Sequence, residues 1–482
     1  MSEKEVRVRF APSPTGFVHV GSLRTALFNY LFARHFKGKF VIRIEDTDRT
    51  RIVDGAVENL INVLKKLGID YDEGPMKEGD YGPYYQSERL SIYKKYCDEL
   101  IENGYAYYAF ETPEELEEMK KMQQLEGKQT AYDRRARNLT KEEVNENLNS
   151  GKPFVVRLKV PLNQEIKFTD AVKGIIKFDS NQVDDQVLLK SDGFPTYHLA
   201  NVIDDHEMKI THIIRGEEWI TSVPKHILLY NAFGWDIPQM AHVPLLLNPD
   251  KSKLSKRQGD VAVEDFINKG YLKEALINFV ALLGWHPSEK DGVVREIFSM
   301  DELISNFTID RVQSSGAVFN IDKLNWMNNE YIKNYDLDNL FDLSLPYFEN
   351  SGLDLNDTEK LKFILNTIRV YLDRLDMIPE KIKIFTKENF EIPDEFKELI
   401  YNENSLKVFK TLKDKVENSD ELTVDGFKQM LNDTGKETGV KGKNLFKPVR
   451  IALTGEEHGP ELPNIAVIYG KEKLSSLLSK YL

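Results

Sequence analysis

The sequence predicts an α/β protein: a parallel-sheet domain opens the chain, an α+β region is inserted into it, and the C-terminal region is all-α. Three observations predict this. Residues 6–68 run strand, helix, strand, helix, an order that requires a parallel sheet with right-handed crossovers. Near Gly82 the texture changes to Glu-rich helical periods around one strand-like run, and short apolar runs resume at Val187. From about residue 330 the pattern is almost wholly helical, with Pro/Asp/Asn-rich connections such as Ile392-Pro393-Asp394.

The elements follow in order. Residues 6–10 alternate Val, Arg, Val, Arg, Phe, the period of a strand, and a Pro/Ser/Thr/Gly loop spans 11–16. Leu23, Ala26, Leu27, Tyr30 and Leu31 fall at helical spacing, with Gly38 where the helix should stop. Residues 40–44 form a second strand. Asp54 is placed to cap a helix carrying Val57, Leu60, Ile61, Leu64 and Leu67, closed by Gly68. Residues 88–103 predict an amphipathic helix, 112–121 the start of another, and 154–160 a strand. The runs 187–190, 212–214 and 243–247 read as short buried strands. Boundaries are expected at 1–84, 85–189, 190–330 and 331–482.

Composition narrows the function. The 482 residues suit about three domains at ~150 residues each. A net charge of −13 argues against non-specific nucleic-acid binding while leaving room for a local basic track. The single cysteine, Cys97, excludes intrachain disulfides and multi-cysteine metal sites, and its helical spacing with Tyr93, Leu100 and Ile101 predicts a buried thiol. No apolar run approaches the ~20 residues that span a bilayer, and the polar start is followed by no signal-peptide core. A cytoplasmic protein without a membrane partner is expected.

Two segments carry chemistry. In Ala11-Pro-Ser-Pro-Thr-Gly-Phe-Val-His-Val-Gly-Ser22 a strand hands over to a helix through a Gly-containing loop, so unpaired amides and the positive helix end face the sheet edge. His19 could there donate to a phosphate oxygen, and Gly21 leaves space for a base or ribose; a helix cap with an incidental histidine is the plainer alternative. In Asn248-Pro-Asp-Lys-Ser-Lys-Leu-Ser-Lys-Arg257 the cations Lys251, Lys253, Lys256 and Arg257, with His242 if charged, gather at one loop. Mobile lysines suit a triphosphate because they neutralise the leaving pyrophosphate, although a lone basic loop is usually a solvated surface.

These segments resemble the HIGH and KMSKS signatures of class I aminoacyl-tRNA synthetases, written here His19-Val-Gly-Ser22 and Lys253-Leu-Ser-Lys-Arg257. The words Ala11-Pro-Ser-Pro-Thr-Gly16, Arg24-Thr-Ala-Leu27, Arg43-Ile-Glu-Asp-Thr-Asp48, Thr196-Tyr-His-Leu-Ala-Asn201 and Arg215-Gly-Glu-Glu-Trp219 resemble the bacterial-type glutamyl-tRNA synthetase family in particular. The resemblance implies a Rossmann-type catalytic domain, an inserted acceptor-stem domain and a helical anticodon-binding region. It implies ATP-dependent activation of glutamate to glutamyl-adenylate, then transfer to the 3′ end of tRNA(Glu), with tRNA(Gln) left open as a second acceptor. Arg9, Phe10, Ala11, Ser13, Glu45, Tyr197, Asn201 and Arg215 match positions that hold glutamate. His19, Gly21, Glu218, Leu246, Lys253, Leu254, Ser255, Lys256 and Arg257 match positions that hold ATP, with His19, Lys253 and Lys256 as the catalytic set. Two carboxylates and an ammonium need cationic or hydroxyl donors and a carboxylate, which these residue types supply. The bland alternatives are an Arg9 pair with Glu45 or Asp46, core roles for Tyr197 and Trp219, and a surface role for Glu218; Asp46 and Asp48 are expected to shape the loop.

Mg2+ is expected with ATP, and monomer is the family default. Zinc-bearing members carry a Cys-x-Cys and further ligands where this chain has Ala109-Phe-Glu111 and Ala136-Arg-Asn138, so no structural zinc and no protein-borne metal are expected. Gln258 stands where a histidine is common. Candidate RNA contacts are Arg134, Arg135 and Arg137, then Lys441, Lys443, Lys447 and Arg450. The helical third separates the chain from the truncated paralogue that glutamylates a tRNA base and from small-molecule nucleotidylyltransferases, and the opening loop separates it from glutaminyl-tRNA synthetase.

Overall fold

The computed structural model describes residues 5–128, 130–254, 262–288, 295–349, 351–388 and 390–482. They form two compact units, one of residues up to 267 and 273–321, the other of 268–272 and 322–482.

In the first unit, β1 (Arg7–Phe10) leads through the Pro-rich loop into α1 (Val20–His35), and β2 (Lys39–Ile42) returns parallel to β1. All four residues of β1 are buried, the two arginines included. An alternating strand at a solvent face would expose them; here the strand is central, and each guanidinium meets a buried acid, Arg7 at Glu73 (2.8 Å) and Arg9 at Asp205 (3.0 Å). The helix α2 (Ala56–Lys66) starts one residue later than its expected cap: Gly55, at φ 76°, is the N-cap in place of Asp54. Its buried stripe is Leu60, Val63 and Leu64, each worth roughly 1.5–3 kcal/mol of transfer free energy.

Next comes α3 (Leu90–Glu102), whose buried face is Tyr93, Cys97 and Leu100. Burial pushes the Cys97 thiol up to about 12, so it stays protonated and inert. β3 (Ala106–Ala109) and α4 (Pro113–Leu125) follow, the latter opened by a Thr112–Glu115 capping box. After α5 (Lys141–Asn149) and β4 (Val155–Leu158) comes a hairpin of β5 (Glu165–Asp170) and β6 (Gly174–Asp179), inside the expected inserted region 85–189 but at no expected strand. It does not join the inserted sheet, which is antiparallel in the order β3-β4-β7 with β7 at Val187–Leu189.

Instead the hairpin extends the main sheet. After α6 (Tyr197–Glu207), β8 (His212–Gly216), α7 (Val223–Phe233) and β9 (Gln239–Val243), that sheet reads β2-β1-β8-β9-β5-β6. β1, β2, β8 and β9 are parallel, β5 joins β9 in parallel, and β6 closes the edge antiparallel. The run 243–247 divides into the end of β9 and the short β10 (Leu246–Leu247) because Pro244 interrupts the ladder.

The second unit is helical throughout its described residues. Its last four long helices, Glu403–Glu417, Val424–Thr438, Lys443–Thr454 and Leu462–Ser479, bury Phe409, Leu412, Phe427, Val449 and Leu474.

Candidate active site

The carboxyl ends of β1 and β8 and the amino end of α1 surround a cleft of about 410 Å³. His19 is the N-cap of α1, and its Nδ1 accepts the Ser22 N–H at 3.2 Å. The neutral ring therefore carries its proton on Nε2, which lies 3.0 Å from the Ser22 hydroxyl. A Cβ at Gly21 would stand 3.0 Å from His19 Cε1 and 3.1 Å from its Nδ1, so a larger residue there would crowd the ring. No acid occupies the first turn of α1, so its positive end is open to an incoming anion, although the Ser22 amide is already taken by His19.

The lysine stretch reaches the same cleft. Lys253 bridges Leu247, the Leu254 N–H bonds the Leu246 carbonyl at 2.9 Å, and Lys253, Leu254 and Leu246 line the same cleft as His19 and Gly21. Past residue 261 the chain meets the same loop: Ala262 bridges His19, and the Val263 N–H bonds the Val18 carbonyl at 2.9 Å. Ser255, Lys256, Arg257 and Gln258 lie outside the described residues. His242 does not belong to this basic group; it is buried on β9, and burial lowers its pKa against the pull of Asp170.

The other end of the cleft gathers side chains of both charges. Arg9, Glu45, Asn201 and Arg215 are buried around it, with Phe10, Ala11 and Tyr197 beside them. Arg9 pairs with Asp205 and not with Glu45, whose Oε1 takes Arg43 at 3.1 Å and the Asn201 amide at 3.4 Å. Burial raises the Glu45 pKa, opposed by Arg43 and Arg9. Asn201 Oδ1 is buried with no hydrogen-bond partner, so Glu45 and Asn201 together present acceptors to an ammonium. Arg215 donates to the Tyr197 hydroxyl at 2.8 Å, and Tyr197 packs on Trp219 with ring centroids 4.3 Å apart. Trp219 thereby lines the cleft.

Every described candidate for ATP or glutamate borders this cleft except Ser13, which is exposed and lines a neighbouring pocket of about 110 Å³. Glu218 is exposed, its carboxylate folded over Gly216, where a Cβ would sit 2.2 Å away. Asp46 holds the Ser87 N–H at 2.8 Å and Asp48 caps Thr50, so both shape the loop. Sequence reasoning missed Arg24, Asp205 and Asp170. Arg24 lines the cleft with its guanidinium on the Leu283 and Pro244 carbonyls, and burial lowers its pKa to about 10; its place in the word after the first motif was the available signal.

The RNA candidates divide. Arg134 turns inward to Asp185 (3.2 Å) and the Val183 carbonyl, and Arg137 to the Val160 carbonyl and Asp185. Arg135 pairs with Asp133 at 2.7 Å. Asp185 is buried, and among the described residues Arg134 and Arg137 are the cations that pair with its carboxylate, which is costly to bury uncompensated. In the second unit, Lys443, Lys447 and Arg450 share a helix face at i, i+4, i+7 spacing, with Lys441 exposed just before it. Lys447 pairs with Glu457 (2.6 Å), and Arg450 donates to the Pro460 carbonyl.

Comparison with known proteins adds family evidence. The family model described as tRNA synthetases class I (E and Q), catalytic domain, matches residues 5–326, and the one described as anticodon binding domain matches 339–482. The chain is 48% identical over 481 residues to the glutamate–tRNA ligase of Clostridioides difficile, covering 97% of each. It is 47% identical over 487 residues to that of Alkaliphilus metalliredigens, covering 98% of each. Its fold superposes with TM-score 0.92 on a crystal structure of a glutamate tRNA ligase from Elizabethkingia meningosepticum in complex with its amino acid, at 37% identity and 99% coverage of both chains.

Proposed function

Because the chain belongs to the glutamate–tRNA ligase family of class I tRNA synthetases, we propose that its cleft performs that family's two steps with the residues named above. The enzyme attaches L-glutamate to tRNA(Glu) with ATP. In the first step a glutamate α-carboxylate oxygen attacks the α-phosphorus, and the bond to pyrophosphate breaks. In the second the 3′-terminal ribose hydroxyl attacks the activated carbonyl, and AMP leaves. No side chain forms a covalent intermediate; catalysis is positioning and charge stabilisation.

Arg9, Arg215 and Tyr197 hold the two glutamate carboxylates, and Glu45 with Asn201 holds the ammonium. Phe10 and Ala11 line that end; Ser13 has no contact with it. His19 Nε2–H, the amides of α1, Lys253 and Lys256 hold the phosphates, with Gly21, Glu218, Leu246, Leu254, Ser255 and Arg257 completing the ATP set. The observation that carries this reading is that the helix mouth at His19, the strand leading into the lysine stretch and the Arg9–Glu45–Arg215 group line one cleft.

Mg2+ accompanies ATP in this reading, with no protein-borne site. The reading includes no structural zinc: Ala109 and Ala136 pack together in an apolar cluster with Tyr107, Met119 and Tyr132, and Tyr132 bonds Glu111 at 3.0 Å. Elemental analysis should find no stoichiometric zinc in purified protein. A monomer acting in the cytoplasm completes the proposal; no described helix is long and apolar enough to cross a membrane. Lys441, Lys443, Lys447 and Arg450 are the RNA-facing cations it retains. The test is charging of purified tRNA(Glu) and tRNA(Gln) with labelled glutamate. Glutamate must appear on tRNA(Glu), its appearance on tRNA(Gln) would extend the acceptor range, and absence from both would refute the proposal.

A further inference from the structure

Arg215 differs from four buried arginines near it and shares with Arg24, whose guanidinium rests on carbonyls, the lack of an ion-pair partner among the described residues. Arg7, Arg9, Arg43 and Arg89 each meet a carboxylate, at Glu73, Asp205, Asp205 and Asp204 respectively. The side-chain partners of Arg215 are neutral: its Nε donates to His242 Nε2 at 3.1 Å, Nη1 to the Tyr197 hydroxyl, and Nη2 lies 3.4 Å from His226 Nδ1. Among the described residues no carboxylate pairs with it.

A guanidinium only donates, so His242 Nε2 must carry a lone pair and the proton must sit on Nδ1. Asp170 Oδ2 accepts a hydrogen bond from that Nδ1–H, the two atoms lying 2.6 Å apart. Three neighbouring strands align this row: Arg215 of β8 lies opposite His242 of β9, and Asp170 ends β5 beside it. Asp170 is itself held, because its Oδ1 accepts the N–H groups of Val172 (3.0 Å), Lys173 (2.9 Å) and His242 (3.2 Å).

We infer that Asp170 and His242 are positioning residues for glutamate binding: Asp170 selects the His242 tautomer whose Nε2 orients the Arg215 guanidinium, and a neutral acceptor leaves its positive charge for a substrate carboxylate. A carboxylate in the place of His242 would orient Arg215 equally well but would neutralise it. This inference rests on Arg215 being a glutamate ligand, as proposed above.

Asp170→Asn tests it with little change of shape. The amide oxygen can keep the three backbone N–H groups, which turns its NH2 toward His242 Nδ1. That forces the proton onto Nε2, against the Arg215 donor. The expected result is a rise in the KM for glutamate of roughly 10- to 100-fold, the range of one hydrogen bond to a charged group, with the KM for ATP within about two-fold of wild type. His242→Leu should do the same, and His242→Gln, which keeps an acceptor, should recover most of the loss. Equal changes in the glutamate and ATP requirements, no change in either, or a Gln variant as impaired as Leu would overturn the inference. Arg215→Ala separates the two layers. If it raises the glutamate KM while the Asp170 and His242 variants do not, the positioning role alone fails. If it leaves that KM unchanged, the assignment of Arg215 fails and the inference with it.

Discussion

Asp205→Asn probes the charge arrangement under the glutamate end of the cleft. Asp205 is fully buried on α6 and takes two guanidiniums: Arg9 through Nε at 3.0 Å and Nη2 at 3.2 Å, and Arg43 through Nη1 at 2.7 Å. These neighbours hold its carboxyl below the usual range in spite of burial. Asparagine keeps the volume and one acceptor, removes one negative charge and turns an NH2 toward a cation. Each bond to a charged group is worth about 1.5–3 kcal/mol but the bonds do not add, so the relevant scale is that of breaking a buried pair, about 3–5 kcal/mol. The loss is uneven. Arg43 retains Glu45 at 3.1 Å and Asp204 at 3.6 Å, whereas Asp205 is the ion-pair partner that holds Arg9. Thermal unfolding should therefore begin roughly 6–10 °C lower, at about 2 °C per kcal/mol for a unit of this size. Misplacement of Arg9 should raise the glutamate KM by about ten-fold, with the ATP KM little changed. A variant that melts within about 1 °C of wild type and binds glutamate normally would refute the claim that Asp205 neutralises and positions Arg9.

Three further outcomes follow. Lys256→Ala should cut glutamate-dependent pyrophosphate exchange by roughly 10²- to 10³-fold, as for removal of one donor to developing charge, while gel-shift affinity for tRNA(Glu) stays nearly intact; normal exchange would remove Lys256 from the phosphates. Gly216→Ala puts a Cβ 2.2 Å from the Glu218 carboxylate, the mobile end of a side chain, so it should raise the ATP KM several-fold with a melting shift under about 1 °C, and an unchanged KM would detach Glu218 from ATP. His198 is held down to about 4 first by burial, and burial also lowers the pKa of His226. Unfolded histidine titrates near ~6.5, so between that value and about 4 the unfolded chain binds more protons and stability rises with pH. The melting temperature should fall as pH drops through this window, and His198→Asn should flatten the decline; an unaltered slope would place the loss elsewhere.

How legible the site was depended on where its information sits along the chain. The helix mouth at His19 was readable from its local geometry and the lysine stretch from its charge, whereas Arg9, Glu45, Tyr197, Asn201 and Arg215 were named because the words that hold them resemble the family's. A loop entering a helix must present free amides, and Gly21 next to His19 needs no distant partner to explain it. The α1 and α2 periods were equally local, and only the Asp54 cap failed, displaced by Gly55 in a left-handed turn.

Charge type was visible in the residues, but partner choice was not. A lone arginine reads the same whether a buried acid or an RNA phosphate awaits it. Arg134 and Arg137 turned to Asp185, Arg9 to Asp205 and His242 to Asp170, because desolvation makes a buried unpaired carboxylate too costly to leave. Those pairings span 72 to 196 residues of sequence in the cases of His242 and Arg9, and no short periodicity encodes them. The placement of β5 beside β9 likewise belongs to tertiary structure: no strand was expected at 165–179, and the pairing joins Asp170 to Met240 across 70 residues of sequence. The sequence by itself offered the candidate groups and their charge types, and the assembled sheet decided which of them line one cleft and which are turned to buried partners.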